Sequence, residues 1–212
     1  MDYLANEGVV LSNIGFIHEK QNQPTEALDY YNQALTIWRE TGNRSGEGNI
    51  LNNIGLTYRA AEKYAEALDY YNQSLIVYRE LDDLANEGIV LSNIGFIYKE
   101  QGGNEEALTY YQQAIFIAQE LGNLSSEGFR TYLTGVIYVE LARYSEALGT
   151  LQQAIFIMKE LGEENRMQWA QGWIKDALDG IRDNTSATDY QQQCQAVSLT
   201  TGILLNELCP TE

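Results

Sequence analysis

Residues 86–122 read NEGIVLSNIGFIYKEQGGNEEALTYYQQAIFIAQELG, and the chain writes this phrase four times with small changes. The register restarts at Asn6, Gly46, Asn86 and Ser126, so the pairs Glu7-Gly8, Glu47-Gly48, Glu87-Gly88 and Glu127-Gly128 recur every 40 residues without slippage. A period of that length means stacked supersecondary units, each burying its apolar face on a neighbour, and not one central core.

Each unit divides into two helical patterns. In the first, Val10-Leu11-x-x-Ile14-Gly15-x-x-His18 and Val90-Leu91-x-x-Ile94-Gly95-x-x-Tyr98 place apolar and small residues at helical spacing. This helix A is expected to begin near residues 6, 46, 86 and 126. Ser45, Asp83 or Ser125 ahead of a Glu supplies the start signal, accepting orphan backbone N–H groups and matching the positive end of the helix dipole. Gly15, Gly55, Gly95 and Gly135 stand mid-helix, where Gly costs about 1 kcal/mol against Ala. A close helix contact would offset that cost, and Ala27, Ala67, Ala107 and Ala147 in the second half are its expected partners.

Short turns separate the halves, so each pair reads as an antiparallel hairpin. Pro24 stands where helix B begins, a position at which its missing N–H does no harm. Helix B carries an apolar stripe, Ala27, Tyr31, Ala34, Leu35 and Trp38, repeated as Ala67, Tyr71, Ser74, Leu75 and Tyr78. Glu26, Asp29, Asn32 and Gln33 make its outer face polar. Gly42, Gly122 and Gly162, with Asp82 in the second copy, sit where a left-handed residue ends a helix.

A helix A carrying L-x-x-I-G-x-x-Y followed by a helix B carrying A-x-x-x-Y-x-x-A resembles the tetratricopeptide repeat. Leu51, Ile54, Gly55, Tyr58, Ala67, Tyr71 and Ser74 carry the resemblance in the second unit, and Leu91, Ile94, Gly95, Tyr98, Ala107, Tyr111 and Ala114 in the third. The usual repeat has about 34 residues and a closing Pro. Here Arg39, Arg79, Gln119 and Lys159 replace that Pro, and the longer form is similar to repeats of kinesin light chains, of Pins-type adaptors and of bacterial signalling proteins. The fourth unit departs most, with Thr131, Thr134 and Leu151 where the others have Leu, Ile and Tyr.

The expected fold is therefore all-α: a right-handed α-solenoid of four such hairpins at 6–43, 46–83, 86–123 and 126–162, within residues 1–162, plus two C-terminal helices. Past Gly162 the register breaks, yet Trp169, Trp173, Ala177 and Ile181, with Ile174 and Leu178 beside them, predict a capping helix over 163–183. Ser186-x-x-Asp189 is a variant capping box opening an amphipathic helix over 186–208, through Tyr190, Cys194, Val197, Thr201, Leu204 and Leu208. At the other end, residues 1–6, MDYLAN, align with LDDLAN at 81–86, so the first repeat opens without a cap, as in an excerpt from a longer array.

Thirty acidic residues against thirteen basic give a net charge of -17, a field that repels phosphate backbones and anionic lipid headgroups. Nucleic acid and membrane surfaces are not the expected partners. No apolar run approaches the roughly 20 residues that span a bilayer, and MDYLANEG lacks the pattern of a signal peptide, which makes a cytoplasmic protein the expectation. Two cysteines, Cys194 and Cys209, are too few for a disulfide framework and read as structural or incidental thiols. His18, the one histidine, holds the place of Tyr58, Tyr98 and Tyr138 and reads as a packing residue. With no nucleophile–base pair, phosphate loop or metal-ligand spacing, neither catalysis nor a cofactor nor a metal is expected.

Residues on helix A that packing does not demand are left for function. Asn13, Asn53 and Asn93 recur once per unit, preceded by Ser12, Asn52 and Ser92 and followed by Phe16, Leu56 and Phe96 on the same face. An amide can donate and accept at once, so a row of them can hold the backbone of an extended peptide while Phe and Leu give apolar contact. The competing reading makes each Asn a link between repeats. Arg59 and Lys99 add positive charge, and Tyr132 ends the polar ladder in an apolar wall. In kinesin-light-chain-type repeats the helix A asparagines hold the ligand backbone, which is what the resemblance implies for Asn13, Asn53 and Asn93. The chain is thus expected to be a scaffold binding a neutral to basic protein segment in a concave groove. The alternative is self-assembly, as a homo-oligomer through the uncapped first repeat or the C-terminal helix, or intramolecular regulation within a larger protein.

Overall fold

The computed structural model describes residues 2–209, which form α-helices joined by short turns, with no strand among them. Met1, part of the MDYLAN alignment, lies outside the described residues. The chain divides into two compact units at the Gln101–Gly102 boundary.

The first unit holds α1 (Asp2–Lys20), α2 (Pro24–Thr41), α3 (Arg44–Ala60), α4 (Tyr64–Glu80) and α5 (Leu84–Glu100), each packed on the next. Pro24 opens α2 as its first residue. Asn43 and Asp83 cap α3 and α5, their side chains accepting from the Gly46 and Asn86 backbone N–H groups. Helix A therefore starts about one half-turn earlier than the sequence suggested, and Ser45 lies inside α3. Gly42 (φ 69°) and Asp82 (φ 53°) adopt the left-handed conformation that ends α2 and α4. Asn22 and Glu62 do the same in the turns between A and B helices, although both carry a Cβ.

Close approach in this unit is between glycine and tyrosine. A Cβ on Gly15 would stand 2.5 Å from the Tyr31 ring, and one on Gly55 would stand 2.6 Å from the Tyr71 ring. Alanines 27 and 67 are fully buried beside them, but the ring fills the space that each glycine leaves. Trp38 is wedged the same way between Gly8 on α1 and Gly46 on α3. Ser74, which replaces the alanine of the other B helices, donates its buried hydroxyl to the Gly48 carbonyl at 2.9 Å. His18 stacks on Tyr30 with ring centroids 5.2 Å apart, just as Tyr58 stacks on Tyr70 one repeat later. That contact makes His18 a packing residue.

The second unit holds α6 (Asn104–Glu120), α7 (Leu124–Glu140), α8 (Tyr144–Glu160), α9 (Glu164–Arg182), α10 (Ala187–Thr201) and α11 (Leu205–Leu208). Asn123, not Ser125, caps α7. Leu151 replaces the repeat's tyrosine against Gly135, and Thr131 and Thr134 put hydroxyls into the core with no hydrogen-bond partner among the described residues. Gly180 lets α9 close on the Tyr144 ring of α8.

Three expectations are corrected here. The amphipathic helix predicted over 186–208 breaks, because Gly202 takes φ 77° and ends α10; a four-residue α11 follows. Trp169 is not in the α9 stripe: Ala170, Ile174, Ala177, Leu178 and Ile181 are buried, and Trp169 is exposed. Cys194 and Cys209 are not thiols but are joined in a disulfide that ties α10 to the residue following α11. Ser186 does cap α10, and its hydroxyl and the Asp189 backbone and carboxylate bond reciprocally. Together α10 and α11 cover one side of α9, completing a core that includes Leu178, Val197 and Leu208.

Candidate functional site

In the first unit α3 and α5 lie against each other, which brings equivalent faces of two A helices together. Asn93 on α5 donates its side-chain amide to the Asn52 side-chain carbonyl on α3 at 3.1 Å. Further along the same helices the Arg59 guanidinium lies over the Phe96 ring, 5.0 Å from its centroid. Four of the residues proposed from sequence thus contact each other between repeats. The pairing is diagonal, so Asn52, not Asn53, meets Asn93.

Asn53 is half-buried and has no side-chain hydrogen bond among the described residues, and Leu56 is half-buried one turn along. The Asn52–Asn93 bond uses one acceptor of Asn52 and one donor of Asn93. The Asn52 amide hydrogens and the Asn93 carbonyl are the complementary groups that this bond does not consume. The same bond fixes both side chains, which lowers the entropic cost of presenting them to a ligand.

The two serines have a different role. Ser12 and Ser92 donate their hydroxyls to the Gly8 and Gly88 carbonyls one turn back, at 2.7 and 2.8 Å, so neither hydroxyl hydrogen is offered to a ligand. Asn13 and Phe16 on α1 are exposed, with the Lys20 ammonium over the Phe16 ring. Lys99 is half-buried near the end of α5. Tyr132 belongs to the second unit, where it packs on Phe129 with centroids 6.4 Å apart. The Arg166 guanidinium lies over that Phe129 ring, 5.1 Å from its centroid. Arg130 beside it donates to the Ser126 carbonyl, and burial lowers its pKa.

A cavity of about 330 Å³ in the first unit was not foreseen from sequence; Glu19, Asn22, Pro24, Thr57, Ala60 and Ala61 line it. Tyr31 donates its phenol to Glu19 at 3.0 Å, and burial, helped by the Glu19 charge, pushes the Tyr31 pKa upward. Tyr71, one repeat on, is buried with its hydroxyl unbonded; its pKa is also raised, chiefly by burial, while nearby Arg59 works against that shift. The glutamate at position 19 and the arginine at position 59 occupy equivalent sites, so the one sequence signal was their opposite charge.

Among the described residues no group of His, Cys, Asp or Glu could hold a metal ion, and no helix is long and apolar enough to cross a membrane. The tetratricopeptide repeat model matches residues 6–80 and again residues 86–160. The chain belongs to the tetratricopeptide repeat family. Similar solved structures agree on the fold. BtubC from P. vanneervenii superposes with a TM-score of 0.76 at 16% identity, covering 99% of this chain and 85% of its own. A signal transduction ATPase with numerous domains and a tetratricopeptide repeat sensor, from Pyrococcus horikoshii, gives 0.78 at 18% identity over 95% of this chain and 32% of that one. A putative kinesin light chain from Podosopora anserina with nearly identical repeats gives 0.70 at 15% identity over 95% and 99%. The tetratricopeptide array here thus spans about a third of the length of the ATPase. No curated protein matches the chain by sequence.

Proposed function

We propose that this tetratricopeptide array is a non-catalytic protein-interaction module that takes an extended segment across the A-helix face of its first unit. The observation that carries the reading is the Asn52–Asn93 bond, which holds two amides in place beside the unbonded Asn53. A peptide backbone alternates N–H and C=O groups, and the unused Asn52 hydrogens and Asn93 carbonyl meet both needs whatever the ligand's side chains are. Leu56 and Phe96 add apolar contact, and Arg59, lying over the Phe96 ring, borders the site with a positive charge. The overall charge of -17 favours a neutral to basic segment and speeds its encounter. In the Pyrococcus horikoshii ATPase the repeats are described as a sensor, which is in keeping with a binding role for such arrays.

Selection of linear peptides from a random display library against the whole chain tests the reading. Binders are expected, and the Asn53→Ala, Asn93→Ala double variant should weaken them at least tenfold while melting as a folded protein. Binders indifferent to that variant would overturn the assignment.

A further inference from the structure

The cavity of the first unit lies where α1, α2 and α3 meet, and its walls are of two kinds. Pro24 of α2 and Thr57, Ala60 and Ala61 of α3 line it with small side chains, while Glu19 and Asn22 bring polar groups to it. The Thr57 hydroxyl is already given to the Asn53 carbonyl at 2.9 Å.

The second unit shows what fits such a space. Three steps of 40 residues carry Pro24 to Tyr144 and Ala60 to Gly180. There the Tyr144 ring of α8 lies so close on α9 that a Cβ on Gly180 would stand 2.3 Å from it. A side chain fills the junction of those helices, whereas between α2 and α3 the compact Pro24 ring and the Ala60 methyl leave the equivalent place open.

Electrostatics select a cation for it. Position 19 is Glu where the next two repeats carry Arg59 and Lys99. The Glu19 side chain is 23% exposed, and the buried Tyr31 phenol donates to its Oε2 at 3.0 Å, which fixes the direction of the carboxylate. Lys20 reaches Oε1 at 3.4 Å, but it is an exposed neighbour whose contact water screens, and each carboxylate oxygen accepts about two hydrogen bonds. Helices α1 and α3 end at Lys20 and Ala60, so two negative dipole ends face this corner. The positive end of α2 begins there with Pro24, which has no N–H to offer an anion. Arg59 is directed away, over the Phe96 ring of α5.

We propose that this cavity is a subsite for an arginine or lysine side chain, whose aliphatic stem lies against Pro24, Ala60 and Ala61 and whose cationic head is held by Glu19. The α3 wall of the subsite starts at Thr57, one turn beyond Asn53. From Asn53 to Ala60 the helix rises about 10 Å, a span of roughly three extended residues. That the side chain belongs to a segment lying across α3 rests on the function proposed above, but the subsite itself does not.

The probe is N-acetyl-arginine N-methylamide, titrated into the full chain and followed by two-dimensional NMR. Saturable shifts are expected at Thr57, Ala60 and Ala61, and none from the uncharged N-acetyl-norleucine N-methylamide. Glu19→Gln keeps an oxygen for Tyr31 and should weaken the probe at least fivefold. Pro24→Tyr, the residue that opens α4 and α8, should fill the space and abolish the shifts in a chain that still melts as a folded protein. Absence of saturable shifts at those residues, equal shifts from the norleucine compound, or indifference to Glu19→Gln would overturn the proposal. Peptides selected from the display library give the second arm: they should carry arginine or lysine and lose at least tenfold in affinity with Glu19→Gln. Peptides weakened by the Asn53→Ala, Asn93→Ala variant yet indifferent to Glu19→Gln would remove the subsite and leave the peptide face standing. The reverse pattern would keep the subsite and remove the peptide face.

Discussion

Asn93 and Asn52 stand 41 residues apart in sequence, yet their side-chain amides meet at 3.1 Å and join α5 to α3. The bond is half-buried, so neither partner is replaced by water without cost. Asn52→Ala and Asn93→Ala should each destabilise the fold by about 0.5–1.5 kcal/mol, the usual net worth of one hydrogen bond. A double-mutant cycle in urea should show a coupling of similar size. Asn53→Ala, with no bond to lose, should change stability by less than about 0.5 kcal/mol. A ligand lost by the Asn53 variant at unchanged stability separates binding from structure.

The mid-helix glycines yield a prediction of opposite sign to helix propensity. Gly55→Ala ought to gain about 1 kcal/mol in an exposed helix. At this site the new methyl would stand 2.6 Å from the Tyr71 ring, which is fully buried and backed by the core. Overpacking costs about 1–3 kcal/mol and should win, so the variant should unfold at lower denaturant than the parent. Gly149→Ala, where a Cβ meets nothing within 4 Å, is the control and should be neutral or stabilising.

These glycines show how far the sequence could be read. Their spacing located helix A, and their cost signalled a close contact, but which neighbour comes nearest depends on ring orientation: the Tyr31 ring stands closest to Gly15, and the expected Ala27 follows with its carbonyl at 3.2 Å. The B-helix stripe was fully legible because burial imposes a 3.6-residue period on it. Helix starts were less so: Asn43 and Ser45 are both good caps, and only the backbone decides between them. The Asn ladder was visible as a row, whereas its diagonal pairing depends on how one repeat is offset from the next. Gly202 was a visible break inside the predicted last helix. Pairing of Cys194 with Cys209 needed the chain reversal that this break creates.

The fourth repeat should be improvable. Thr131 and Thr134 stand where other units have Leu and Ile, and both hydroxyls are buried without a partner. A buried, unbonded hydroxyl costs about 1–3 kcal/mol, and the lost methyl groups forfeit apolar burial as well. Thr131→Leu with Thr134→Ile restores the repeat's own consensus and should raise stability by about 1–3 kcal/mol. Calorimetry that shows no rise in Tm would mean that the local backbone has already closed around the smaller side chains.

Alkaline pH should unfold the first unit through its buried tyrosines. Tyr78 donates to Asn49 at 2.8 Å, and burial, with the Asp83 charge second, pushes its pKa up to about 12 from the ordinary 10.0. Tyr31 and Tyr71 are shifted in the same direction, again mainly by burial. Below about pH 10 both folded and unfolded chains keep the phenolic proton, and the stabilisation is fully present. Between about pH 10 and 12 the unfolded chain releases a proton that folded Tyr78 retains. The unfolded state then binds fewer protons, so stability must fall as pH rises through that window. Urea midpoints taken at about pH 8, 10 and 11 should decline accordingly. Tyr78→Phe should lower stability at neutral pH, by about 1 kcal/mol for the lost bond to Asn49, but flatten the alkaline decline. A slope unchanged by that substitution would place the alkaline transition on the other tyrosines alone.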